Sequence, residues 1–238
     1  MMSELKLPKH LSLHEFEDRD TLAEVLSSEI EHQLGRAIQF RGTATIAVSG
    51  GNTPLKLFKL LSQAELDWTR ITVTLVDERW VGPDDERSNE RLVKQNLLVG
   101  RAGFANFVPF YTSGVDPEEA AFRICHEIVK LPLPFDVVIL GMGLDGHTAS
   151  FFADGDNFDE AVNPAAGLPV VAIKAPSVAE PRATLTMPML ITSRFLALHI
   201  EGKDKRKILE NALKDGAELP ISRVLERQDV QTNIFWAP

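Results

Sequence analysis

Thr43-Ala44-Thr45-Ile46-Ala47-Val48-Ser49-Gly50-Gly51-Asn52-Thr53-Pro54 changes character twice within twelve residues. Its first half is small, β-branched and apolar, the composition of a strand buried on both faces. Ser49 to Asn52 breaks the run. Pro54 then suits the first turn of a helix through Leu61, because a proline there has no N–H to leave unpaired. Strand, glycine turn and helix in that order form the unit from which parallel sheets are built.

The alternation recurs along the chain. Ile71 to Val76, Phe135 to Leu140, Val170 to Lys174 and Phe195 to Ile200 read as further strands. Between them, Leu22, Val25, Leu26, Ile30 and Leu34 recur at helical spacing behind Asp20 as the cap. Ser88 caps a helix carrying Leu92, Val93 and Leu97, and Asp204 to Leu213 forms another. Asp116-Pro117-Glu118-Glu119 opens one more, with Glu119 as a capping-box residue. The pattern predicts an α/β fold, a single domain over residues 1–238 with a doubly wound, largely parallel sheet flanked by helices. The Gly/Asn/Asp-rich stretch from Asp154 to Leu168 reads as a surface excursion within that domain.

Composition narrows the function classes. The chain has 238 residues, and 25 Lys and Arg against 34 Asp and Glu leave a net charge of −9. That sign is opposite to the basic footprint of a nucleic-acid protein. With 44% hydrophobic and 25% charged residues the mix is ordinary for a globular chain, so disorder and fibrous repeats are excluded. Cys125 is the single cysteine, which rules out an intramolecular disulfide and suits a reducing compartment. Met1 to Pro8 shows no apolar leader. The longest apolar run, Val137 to Leu140 extended by Gly141 and Met142, falls far short of the roughly 20 residues that cross a bilayer. A cytoplasmic protein without nucleic-acid or membrane partners is expected.

Three segments sit at strand ends, where α/β sheets gather ligands. In Ser49-Gly50-Gly51-Asn52-Thr53, backbone N–H groups at a helix start can cradle a phosphate, although a tight turn alone also calls for glycine. Ala47-Val48-Ser49-Gly50-Gly51 also resembles a nucleophile elbow, with Asp145 and His199 as nominal triad partners. Against this, Pro54 puts the helix start several residues too late. Val76-Asp77-Glu78-Arg79-Trp80, followed by Ser88-Asn89, runs three charges off a buried strand. Arg79 there suits a phosphate or a developing oxyanion, unless the strand end is merely solvated.

The third segment is Gly141-Met142-Gly143-Leu144-Asp145-Gly146-His147-Thr148. It matches the G-x-G-x-x-G dinucleotide pattern, but Asp159 and Glu160 precede the next strand instead of following it. Asp145 and His147 place a carboxylate beside an imidazole in a loop, a pair suited to proton transfer. No metal site is expected. His10 and His14 are four apart, yet no H-E-x-x-H motif occurs and Cys125 has no partner cysteine. His32, His126 and His199 read as packing or surface residues.

Taken in order, these segments resemble the 6-phosphogluconolactonase family, within a superfamily shared with glucosamine-6-phosphate deaminases. The resemblance extends through Ala149-Ser150-Phe151-Phe152, Pro181-Arg182-Ala183-Thr184-Leu185-Thr186 and Gly202-Lys203-Asp204-Lys205, covering about residues 45–205. It implies a fold akin to the deaminases and hydrolysis of 6-phospho-D-glucono-1,5-lactone to 6-phosphogluconate without a required cofactor. It further implies His147 as the general base and Arg79 as a charge-stabilising group. Ser49, Gly50, Gly51, Asn52, Thr53, Arg182 and Lys205 would contact the phosphosugar. It also implies that Asp77 and Asp145 belong to the site, with one of them orienting His147. The deaminase pattern carries a Glu five residues after the His, where this chain has Phe152, and an aromatic where it has Arg79. A non-catalytic sugar-phosphate-binding protein on the same fold is the remaining alternative.

Overall fold

In the computed structural model, which describes residues 7–238, the chain begins with β1 (Leu11–Glu15), α1 (Arg19–Arg41), β2 (Ala44–Val48) and α2 (Leu55–Leu61). There follow β3 (Ile71–Leu75), β4 (Asp77–Arg79), α3 (Asn89–Asn96), β5 (Asn106–Val108), α4 (Pro117–Ile128) and β6 (Val137–Leu140). The remainder is α5 (Phe158–Val162), β7 (Val170–Ile173), β8 (Arg182–Leu185), α6 (Met187–Ile191), β9 (Leu196–Glu201), α7 (Lys203–Ala212), α8 (Ser222–Leu225) and β10 (Thr232–Ala237). Met1 to Lys6, where most of the leader reading falls, lie outside the described residues.

Seven strands form one sheet in the order β1-β10-β9-β6-β2-β3-β5. Every pairing in it is parallel. All five residues of β2 and all four of β6 are buried, as strands covered by helices on both faces require. Phe58, Phe110, Phe135 and Phe151 are fully buried around the sheet, and truncating any one to Ala should cost about 3–5 kcal/mol. β2 is followed by β3 on one side, whereas β6 leads toward β9 on the other. The loops after β2 and β6 therefore meet at the point where the strand order reverses, the usual crevice of such sheets.

Several expected details are corrected. Asp18, not Asp20, caps α1: its extended backbone lets the carboxylate accept from the N–H groups of Asp20 and Thr21, each at 2.8 Å. Asp20 lies in the first turn and pairs with Lys56. Ser88 caps α3 through the Arg91 N–H, and Asp116 caps α4 through the Glu119 N–H. The Glu119 side chain, however, turns to Arg123 and leaves the capping box half made. Asp77 to Arg79 do not prolong β3. The chain leaves the parallel sheet at Val76, and β4 joins β8 and β7 in a separate antiparallel sheet. Val170–Ile173 thus belongs to that small sheet, not to the parallel one.

Candidate active site

The turn after β2 is tied to the loop after β6. Ser49 donates its N–H to the Ile139 carbonyl at 3.1 Å, and its hydroxyl accepts from the Gly141 N–H at 3.3 Å. Gly51 has φ +89°, a conformation that side chains resist, so the turn reverses there. Gly50 is needed for another reason: a Cβ on it would lie 1.8 Å from the Asn89 Oδ1. Among the described residues, the N–H groups of Gly50, Gly51, Asn52 and Thr53 donate to nothing within the chain, and α2 begins directly after them. Lys205, in the first turn of α7, donates to the Thr53 hydroxyl at 3.1 Å. Burial lowers the Lys205 pKa, and Glu201 opposes that shift. Unbonded N–H groups beside an ammonium make an anion cradle.

Strand alternation divides β4 between two tasks. Asp77 and Arg79 line the cavity that also holds the Ser49–Thr53 turn. The Asp77 carboxylate accepts from the Ser150 hydroxyl at 2.6 Å, and its carbonyl accepts from the Asn89 amide at 2.8 Å. Arg79 donates to the Arg87 carbonyl. Glu78 is fully buried and accepts from the N–H groups of Arg79, Asn89 and Glu90 and from the Ser88 hydroxyl. Burial pushes its carboxyl from the ordinary 4.5 up to about 7, against those hydrogen bonds. It anchors the start of α3 and so holds Asn89 against the glycine turn.

The loop after β6 brings His147 to the same cavity. Its Nδ1 is 2.5 Å from the Asp145 Oδ1, and its backbone N–H donates to the same oxygen at 3.2 Å. The imidazole holds the Asp145 carboxyl below its usual range, so the carboxylate accepts and Nδ1 carries the proton. Nε2 is then the basic nitrogen of the neutral ring. The Phe152 ring covers the imidazole at 4.7 Å between centroids. Ala149, also on the cavity wall, has φ +50°, the one non-glycine residue in the left-handed region among those described.

Nine of the residues singled out from sequence, Ser49 to Thr53 with Asp77, Arg79, His147 and Lys205, converge on this one cavity. Asp145 stands behind His147. Arg182 does not line the cavity; it opens β8 directly across from Arg79, with its guanidinium 5.8 Å from the Phe152 ring. Its Nε and Nη1 are buried without partners, and burial lowers its pKa. Among the residues not singled out as site groups are Asn89, Ser150, Gly143 and Phe152. All four act through contacts distant in sequence or across a loop, although each falls inside a quoted motif.

The competing readings lose their geometry. Asp145 pairs with His147, while His199 is buried in β9, 3.2 Å from Glu201, so Ser49 has no triad. No helix follows Gly141–Gly146; the loop closes on itself, with the Gly143 N–H donating to the His147 carbonyl at 2.9 Å. His10 bonds the Leu225 carbonyl and His14 stacks on Phe235, so the two do not share a ligand position.

Residues 17–236 match the family of glucosamine-6-phosphate isomerases and 6-phosphogluconolactonases, and the chain belongs to that family. Within it, the chain is 46% identical over 229 residues to the 6-phosphogluconolactonase of Rhizobium meliloti, covering 95% of this chain and 99% of that one. Identity to the 6-phosphogluconolactonase of Mesorhizobium japonicum is also 46%, over 223 residues and 94% of each chain. The crystal structure of a 6-phosphogluconolactonase from Shewanella baltica superposes with a TM-score of 0.93 at 37% identity, covering 98% of this chain and all of that one.

Proposed function

We propose that this protein hydrolyses 6-phospho-D-glucono-1,5-lactone to 6-phospho-D-gluconate, with His147 activating the attacking water. Nε2 of His147 takes a proton from water as the oxygen bonds to the lactone carbonyl carbon. Asp145 holds the imidazole and balances the charge it acquires. Arg79 stabilises the developing oxyanion. Collapse of the tetrahedral intermediate breaks the bond to the ring oxygen, which takes the proton back from the imidazolium. A lactone is an activated ester, so no covalent nucleophile or cofactor is needed.

The phosphate sits on the Gly50–Thr53 N–H groups and Lys205. Arg182, behind Arg79, adds positive potential to a chain whose net charge is −9. The reading takes residues 1–238 as one working unit in the cytoplasm, without nucleic-acid or membrane partners.

One observation carries the choice of reaction. His147 lies between Asp145 and Phe152 in the cavity that also holds the unbonded N–H turn, and the apolar Phe152 cannot relay the proton that opening an amino sugar requires. The test is a coupled assay of lactone hydrolysis, corrected for spontaneous opening, with glucosamine 6-phosphate in parallel. Turnover of the lactone alone is expected. Turnover of the amino sugar alone would overturn the reading.

A further inference from the structure

We propose that Gly143 is a positioning residue for the base: its missing side chain is the space in which the His147–Asp145 hydrogen bond is made. This rests on the reading of His147 given above. A Cβ on Gly143 would lie 2.3 Å from Nδ1 and 2.3 Å from Cε1 of His147, and 2.4 Å from the Asp145 Oδ1. Those nitrogen and oxygen atoms are the two ends of the 2.5 Å hydrogen bond, so the methyl would clash with both ends at once.

The backbone is tied down within the loop. Gly143 donates its N–H to the His147 carbonyl at 2.9 Å and accepts from the Gly146 N–H at 3.1 Å, which pins it from both sides. Phe152 closes the other flank of the imidazole at 4.7 Å. A methyl group there would drive the ring and the carboxylate apart. Gly143 has no left-handed backbone to explain it, unlike Gly146 at φ +80°. Its role is close approach.

The second glycine of the apparent dinucleotide pattern makes room for an imidazole, where in the nucleotide motif it admits a pyrophosphate. The cradle and Lys205 lie on other elements, so Gly143 acts on turnover and not on binding.

The experiment compares Gly143→Ala, Asp145→Ala, the double variant and His147→Asn in the lactone assay. NMR of the Nδ1 proton provides a readout independent of turnover. Gly143→Ala is expected to lose at least about tenfold in kcat with KM within about threefold, and to lose the downfield Nδ1 proton resonance. In the Asp145→Ala background the same alanine at Gly143 should cost less than about threefold, because the bond it disrupts is already gone. An unchanged kcat and resonance in Gly143→Ala, or full additivity with Asp145→Ala, would overturn the proposal. If Gly143→Ala alone fails to fold, His147→Ala should restore folding by removing the ring; continued misfolding of that pair would equally overturn it. Full activity in His147→Asn would instead refute the base reading, and the resonance would still decide the role of Gly143.

Discussion

The Nδ1 of His147 lies 2.5 Å from the Oδ1 of Asp145, two residues earlier in the same loop. The pair needs no second element to assemble it, so the orientation of the base is set by local backbone. What the rest of the fold supplies is the wall opposite: the turn after β2, Arg79 from β4 and Lys205 from α7. The two parts meet because β2 and β6 are neighbours whose following loops touch through Ser49 and Gly141.

Lys205 is expected to govern recognition of the phosphate. Charge-assisted contacts of this kind contribute about 1.5–3 kcal/mol, so Lys205→Met should reduce kcat/KM for the phosphorylated lactone by about 10- to 100-fold. Unphosphorylated gluconolactone should lose less than about threefold. Kinetics on both lactones provide the check, and an equal loss on the two would place the phosphate elsewhere.

Gly50→Ala is expected to destabilise the fold by about 1–3 kcal/mol, because overpacking against a fixed side chain forces a backbone shift. Asn89 is fixed by its N–H on Glu78 and its amide on Asp77, so it cannot swing aside. Denaturant unfolding measures the loss. Unaltered stability would show that the contact yields.

The fold was legible because β2, β3, β6 and β9 are apolar on both faces and are separated by helices. β10 carries the same apolar signature in Ile234, Phe235, Trp236 and Ala237, but as the final strand it lacks the turn and helix that mark β2. β8 opens on Arg182 and lies between β7 and β4; its pairing with β4, about a hundred residues earlier, is one that no local pattern announces. Arg182 is named from the family resemblance, and its place opposite Arg79 follows from the same long-range pairing. Asn89 was visible as part of a motif, yet its reach to Asp77 and Gly50 exists only in three dimensions.

Glu78 should leave a signature in the pH dependence of stability. Its carboxyl is raised to about 7 by burial, so the folded protein holds a proton that the unfolded chain releases near 4.5. Its contribution is therefore fully present below about 4.5 and is lost as pH rises through about 7, by at most about 3 kcal/mol. Thermal unfolding of Glu78→Gln between those limits should show a flatter pH profile than the parent protein. Parallel profiles would mean that Glu78 is ionised throughout.

Ser49 is expected to be no nucleophile, since its hydroxyl accepts from the Gly141 N–H and has no base beside it. A serine-directed phosphonate should leave it unlabelled, and Ser49→Ala should retain turnover within about tenfold. A stoichiometric adduct at Ser49 with matching loss of activity would restore the acyl-enzyme route.

The central claim is that His147 moves the proton, and the most direct measurement is kcat of His147→Asn for 6-phosphogluconolactone in a variant whose unfolding transition matches the parent. Asparagine keeps a polar group of similar size near Asp145 but has no basic nitrogen. The account predicts a loss of about 100-fold or more, with KM within a few-fold. Wild-type turnover in the folded variant would contradict it.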